Sequence, residues 1–190
     1  MTKHAQILGE QLIAEGRFRL TRTRARIMEG NGAERTLEHE IYHYKPAAAV
    51  LLYDTERRVV LLVKQFRLGA FICDGALDLI EVCAGMLDDD APEACAKREA
   101  WEETGVRVTA LRHAFDVFMS PGGMTEKISC FVASYASADR SGPGGGVDAD
   151  EFIDLVEMPY AEAFARIESG EIRDAKTVAL LYYAKAEGLL

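Results

Sequence analysis

The run Arg98-Glu99-Ala100-Trp101-Glu102-Glu103-Thr104-Gly105 carries the most defined acidic spacing in this 190-residue chain. In a helix, at about 100° per residue, Glu99, Glu102 and Glu103 fall within an arc of roughly 100° and share one face of the last two turns. Such a face is costly, because like charges at i,i+3 and i,i+4 repel and acidic groups near a helix C-terminus oppose the macrodipole. Clustered hard oxygen donors suit Mg²⁺ or Mn²⁺, and a divalent cation would relieve the repulsion. The ordinary alternative is a solvated charged face in which Arg98 pairs with Glu102 at i,i+4. Against it, Ala94 and Trp101 fall on the other side, where the core is expected, so the carboxylates should project from a helix anchored by its opposite face. The preceding Asp88-Asp89-Asp90 is not a calcium loop, since its ligands do not alternate and the required glycine is missing.

The elements that must position this helix follow from the surrounding pattern. Asp90 is placed to cap its first turn, Glu93 to complete a capping box, Pro92 is tolerated there, and Gly105 is a stop signal. Upstream, AAAVLLYD and RVVLLVKQF, separated by Thr55-Glu56-Arg57, read as two buried strands, and Phe71 to Cys83 as one or two more around an Asp74-Gly75 turn. Downstream, VRVTALRHAFDVFMS and KISCFVASYA read as strands joined by the turn Ser120-Pro121-Gly122-Gly123. Ser141 to Gly146 reads as a flexible loop, Phe152 to Glu157 as a strand, and Tyr160 to Glu168 as a helix. Asp174 to Glu187 reads as a last helix with Val178, Leu181 and Tyr182 on one face. Before all of this, Arg17 to Tyr44 predicts a β-hairpin turning at Asn31-Gly32, closed off by Pro46. The pattern predicts an α+β or mixed α/β fold, the α+β class being the expectation, with an N-terminal β segment over 1–45 and a main domain over 46–190.

Composition sets the outer limits. With 49% hydrophobic and 28% charged residues the chain is a globular one, long enough to bury a core without disulfides. Cys73, Cys83, Cys95 and Cys130 form no C-x-x-C pair, which argues for reduced thiols in a cytoplasmic protein. The longest apolar run, Ala47 to Tyr53, is far below the ~20 residues of a membrane span, and the opening residues lack a signal-peptide core. A net charge of −9 repels nucleic acid, and a small phosphorylated substrate would need local cations.

Gly85-Met86-Leu87-Asp88-Asp89-Asp90 through Arg98-Glu99-Ala100-Trp101-Glu102-Glu103-Thr104-Gly105-Val106 resembles the Nudix box, G-x5-E-x7-R-E-U-x-E-E-x-G-U with U apolar. The second half matches closely; the interval from Gly85 to Arg98 is one residue short, with Asp90 or Ala91 near the place of the first glutamate. Ser120 to Gly123 with Glu126, the leading hairpin, Gln65-Phe66-Arg67, Leu79 to Gly85, Gly144 to Val147 and Gly170 to Thr177 extend the similarity over nearly the whole chain. It is nearest to the GDP-mannose-cleaving branch of the nucleoside-diphosphate-sugar pyrophosphatases, with ADP-ribose cleavage the alternative. The resemblance implies an α/β/α sandwich, a homodimer with exchanged N-terminal sheets, and Mg²⁺-dependent hydrolysis of a diphosphate bridge.

Carried over residue by residue, the resemblance assigns Glu99 and Glu103, with the carbonyl of Ala84, to Mg²⁺, and Glu102 as a further or water-mediated ligand. Arg98 would orient the glutamates. Glu151 matches the late catalytic glutamate and a further metal ligand, with Asp150 its rival. Arg67, Gly85, Met86, Glu126 and Lys176 match substrate-facing positions. Glu38, His39 and Glu40 align with residues that would reach the partner's nucleotide, with Arg17 where an aromatic residue is expected. His4, His43 and His113 form no metal cluster. A reading from another class, a non-catalytic nucleotide-sugar sensor, is opposed by the intact Arg98, Glu99, Glu102 and Glu103.

Overall fold

The computed structural model describes residues 3–146 and 152–190. They group into two compact units, one made of the chain up to Pro46 with Phe118–Lys127, the other of Ala47–Val117 with Ile128–Leu190.

In the first unit β1 (His4–Glu15), β2 (Arg19–Met28) and β3 (Glu34–Tyr42) form an antiparallel sheet in that order. The predicted hairpin is therefore one strand short. Register shifts between Ile7 and Gly9 and between Leu12 and Ala14 break the period-two pattern by which β1 would be recognised. Asn31-Gly32 does turn the chain, but within a longer loop: the Glu29 N–H meets the Ala33 carbonyl at 2.8 Å, and Gly32 alone takes positive φ, 85°.

The second unit is organised on β4 (Ala47–Asp54), whose residues Ala47 to Leu52 are buried. One edge runs parallel to β9 (Lys127–Ser134), which has β8 (Arg112–Phe118) as its other neighbour. The other edge is divided. Leu52–Asp54 pair antiparallel with β5 (Val59–Gln65), and Ala47–Val50 pair antiparallel with β7 (Cys83–Met86). Strand β5 also holds β10 (Ile153–Pro159) along its length and the short β6 (Leu79–Glu81) opposite Val63–Gln65. Thus β6 and β7 step from β5 to β4 with only Val82 between them, and the Val82 N–H donates to the Thr177 hydroxyl at 2.8 Å.

Among the described residues four α-helices complete this unit: α1 (Leu68–Asp74), α2 (Pro92–Thr104), α3 (Tyr160–Glu168) and α4 (Ala175–Ala186). Ala48, Val50 and Leu52 pack with Cys95, Ala96 and Ala100 of α2. By strand alternation Ala49 and Leu51 face the other way, toward the layer in which α4 buries Leu180, Leu181 and Ala184. The sheet lies between helices, as the α/β/α sandwich implied by the resemblance requires. Among the described residues no helix is long and apolar enough to cross a membrane.

Two expectations change. Leu68–Asp74 is a helix rather than a strand, because Asp74-Gly75 is its stop and not a hairpin turn: Gly75 has φ 78° and its N–H meets the Phe71 carbonyl. On α4 the buried face is Thr177, Leu180, Leu181 and Ala184, while Tyr182 is exposed, so the apolar stripe lies one position round from that predicted.

Candidate functional site

Helix α2 begins differently from its sequence forecast. Ala91 occupies the N-cap with no side-chain bond, and the Asp90 carboxylate instead accepts from Arg98 Nε at 3.2 Å, so no capping box forms. The short interval before Arg98 is closed by a tight turn, with the Asp90 N–H on the Leu87 carbonyl at 2.7 Å and Asp88 at φ 45°, a conformation aspartate tolerates. Gly105 ends the helix at φ 72°, as predicted. The buried residues are Cys95, Ala96, Ala100, Glu103 and Thr104; Ala94 is exposed and Trp101 half-buried with the Arg107 guanidinium 4.8 Å from its ring centroid. The carboxylate face therefore borders the core rather than opposing it.

Glu103 is 3% exposed. Burial, and then the nearby Glu99 charge, push its carboxyl up to about 8, against a backbone hydrogen bond from Ala84 and the Arg67 charge. Among the described residues its Oε2 has no hydrogen-bond partner. An orphaned buried carboxylate oxygen beside a second carboxylate is a site short of positive charge. Gly85 supplies the space. A Cβ there would stand 2.0 Å from Glu99 Oε1 and 2.1 Å from Glu99 Cδ, so the glycine is needed for close approach rather than for its φ. Arg98 organises the rest, its Nη1 lying 2.8 Å from Glu99 Oε1 and 3.0 Å from Glu102 Oε2, and its Nη2 donating to the Met86 carbonyl at 3.4 Å. With Glu99 and Glu102 turned toward Arg98, no three acidic, His or Cys side chains among the described residues converge as a finished cation cage. The donor chemistry, the orphan oxygen and the glycine gap nevertheless fit a divalent cation.

A second cluster adjoins it. Glu81, 2% exposed, accepts from Arg67 through Nε at 2.7 Å and Nη2 at 3.1 Å, and from Lys176 Nζ at 2.5 Å. Lys176 also reaches Asp174 at 2.9 Å, and Asp174 caps α4 through the Thr177 N–H at 3.0 Å. Desolvation opposes the charge of Glu81, yet Lys176 and Arg67 together hold it below the ordinary carboxylate range. Arg67 and Lys176 thus meet through a residue that motif matching does not single out. Glu81 could have been noticed as the lone acid in the apolar run Leu79 to Ala84.

The stretch from Ser141 to Gly146 also departs from its expectation. It is fitted to the end of α2, with the Gly145 and Gly146 N–H groups on the carbonyls of Glu103 at 2.8 Å and Glu102 at 3.0 Å. The loop predicted to be flexible is therefore anchored.

The remaining predicted residues lie elsewhere. Glu38 and Glu40 share one face of β3, opposite Arg24 and Arg22 in register, and Glu40 pairs with Arg22 at 3.0 Å; His39 points to the other face. Arg17 is exposed, its guanidinium 5.8 Å from the Phe18 ring. Glu126 is half-buried in the first unit. Asp150 and Glu151 lie outside the described residues.

Residues 43–181 match the NUDIX domain family. The chain is 41% identical over 192 aligned positions to the GDP-mannose pyrophosphatase of Cronobacter sakazakii, covering 100% of both chains. It is likewise 41% identical to that of Klebsiella pneumoniae, covering 100% of this chain and 96% of the relative. A solved structure described as an ADP compounds hydrolase superposes with a TM-score of 0.71 at 21% identity, covering 98% of this chain and 97% of the other, which is a likeness of fold.

Proposed function

We propose, from the premise that this chain belongs to the Nudix family, that it hydrolyses the diphosphate bridge of a nucleoside diphosphate sugar, with GDP-mannose and water giving GMP and mannose 1-phosphate. The observation that carries the reading is the buried Glu103, with its orphaned oxygen, beside a Glu99 carboxylate seated against Gly85. The full-length similarity to GDP-mannose pyrophosphatases supports the choice of substrate.

Glu99, Glu103 and the Ala84 carbonyl would hold Mg²⁺, or Mn²⁺ in its place, with Glu102 as a further donor. A divalent cation bound there would supply charge neutralisation for the diphosphate and a lowered pKa for water. Arg98 would orient Glu99 and Glu102 through its bonds to both, each keeping its second carboxylate oxygen for the cation. Arg67 and Lys176, held by Glu81, offer positive charge to phosphate and sugar oxygens. Glu151, with Asp150 as the alternative, accepts the proton of the attacking water, and a phosphomonoester leaves. Gly85 and Met86 lie on the same strand as Ala84.

The enzyme acts as a homodimer through its N-terminal sheet, with Arg17, Glu38, His39 and Glu40 reaching the partner's nucleotide. The exposed Ile7 and Leu12 on β1 support that pairing. Four free cysteines suit a reducing cytoplasm. The test is turnover of GDP-mannose, GDP-glucose, ADP-ribose and ADP-glucose with Mg²⁺ or Mn²⁺, products being separated by chromatography. GDP-mannose should have the highest kcat/KM; an ADP-ribose lead of more than about tenfold overturns the substrate choice.

A further inference from the structure

The last carbonyls of a helix find no partner within it. In α2 two of these belong to Glu102 and Glu103 themselves, and their partners come from Gly146 and Gly145. Ser141 and Gly142 donate as well, both to the Gly105 carbonyl, at 3.0 and 3.1 Å. Bare backbone makes this approach possible. A Cβ on Gly144, at φ 65°, would lie 2.9 Å from the Glu103 carbonyl oxygen, and one on Gly142 would lie 2.9 Å from Trp101 Cη2. The donated N–H groups also set positive dipole ends against the negative end of α2, where three carboxylates already crowd.

We propose that Ser141–Gly146 is a positioning element for the reaction, with Gly142 and Gly144 its positioning residues. By holding the backbone of Glu102 and Glu103 it fixes where their carboxylates stand, and so sets both cation affinity and the rate of the chemical step. The inference rests on the reading of those carboxylates as the holders of the cation.

The experiment compares wild type with Gly144→Ala, Gly142→Ala, Gly142→Ala/Trp101→Phe, and Gly69→Ala, a control in open space. Mn²⁺ binding is measured by electron paramagnetic resonance without substrate, amide exchange at 141–146 by NMR, and kcat and KM with GDP-mannose. Gly144→Ala should speed exchange, weaken Mn²⁺ binding about tenfold, and lower kcat by about tenfold or more with KM within about threefold. Gly142→Ala should act in the same direction and Trp101→Phe should restore most of the loss, because phenylalanine lacks the outer edge of the indole while the Gly105 Cα, 3.1 Å from that Cβ, stays. Gly69→Ala should match wild type. If Gly144→Ala does not fold, the Gly142 pair decides by the same criteria. Faster exchange with Mn²⁺ affinity and kcat both within about twofold of wild type overturns the inference alone. A wild type that neither binds Mn²⁺ nor cleaves nucleotide sugars overturns the functional reading and the inference with it.

Discussion

Glu103 joins two linked properties, a carboxyl raised to about 8 by its burial and a place on the helix beside Glu99, whose charge helps to raise it. Its native value lies above the ordinary 4.5, so the folded metal-free protein binds more protons than the unfolded chain between those values. The stability this contributes is full below about 4.5 and is lost as pH rises to about 8. Thermal melts of metal-free protein should therefore fall across that window, and Glu103→Gln should flatten the dependence while abolishing turnover. A variant retaining near-wild-type activity would remove Glu103 from the site. Gly85→Ala makes the complementary test: its Cβ must displace the Glu99 carboxylate, so cation binding and kcat should drop while the circular dichroism spectrum is kept. Both residues were legible in the sequence from the box spacing. What spacing could not convey is that Gly85 is required by contact with a side chain, which depends on how β7 lies against α2.

At the level of elements, strands β4, β5, β9 and β10 and helix α3 were readable because long apolar runs and clear breakers bound them. Strand β1, with two register shifts, and α1, with no buried residue, lack such a signal. The joint between β6 and α4 was invisible too, because Glu81, Lys176 and Thr177 meet only through tertiary packing. Removing Glu81 leaves Lys176 and Arg67 without their shared carboxylate. Glu81→Ala should destabilise by about 3–5 kcal/mol, the usual result of breaking a buried ion pair. Urea titration reads this; a loss below about 1 kcal/mol would show that water replaces the pair.

For the whole molecule, net charge shapes substrate capture. A chain at −9 repels an anionic nucleotide sugar over the Debye length, and salt screens that repulsion. With the cation saturating, kcat/KM should rise as ionic strength goes from about 10 to about 150 mM. A fall would mean that Arg67, Lys176 and their neighbours dominate the long-range field.

The divided edge of β4 also bears on how the chain acquires its structure. Leu52–Asp54 meet β5 across a short link, whereas β9 and β10 reach β4 and β5 from far along the sequence. Such separation raises contact order and slows folding. During synthesis the β4–β5 hairpin emerges first, leaving the Val59–Val63 edge open until Ile153–Pro159 arrives to cover it. Nascent chains halted before β10 should aggregate, and a charge placed on that open edge should keep them soluble at the expense of the finished sheet.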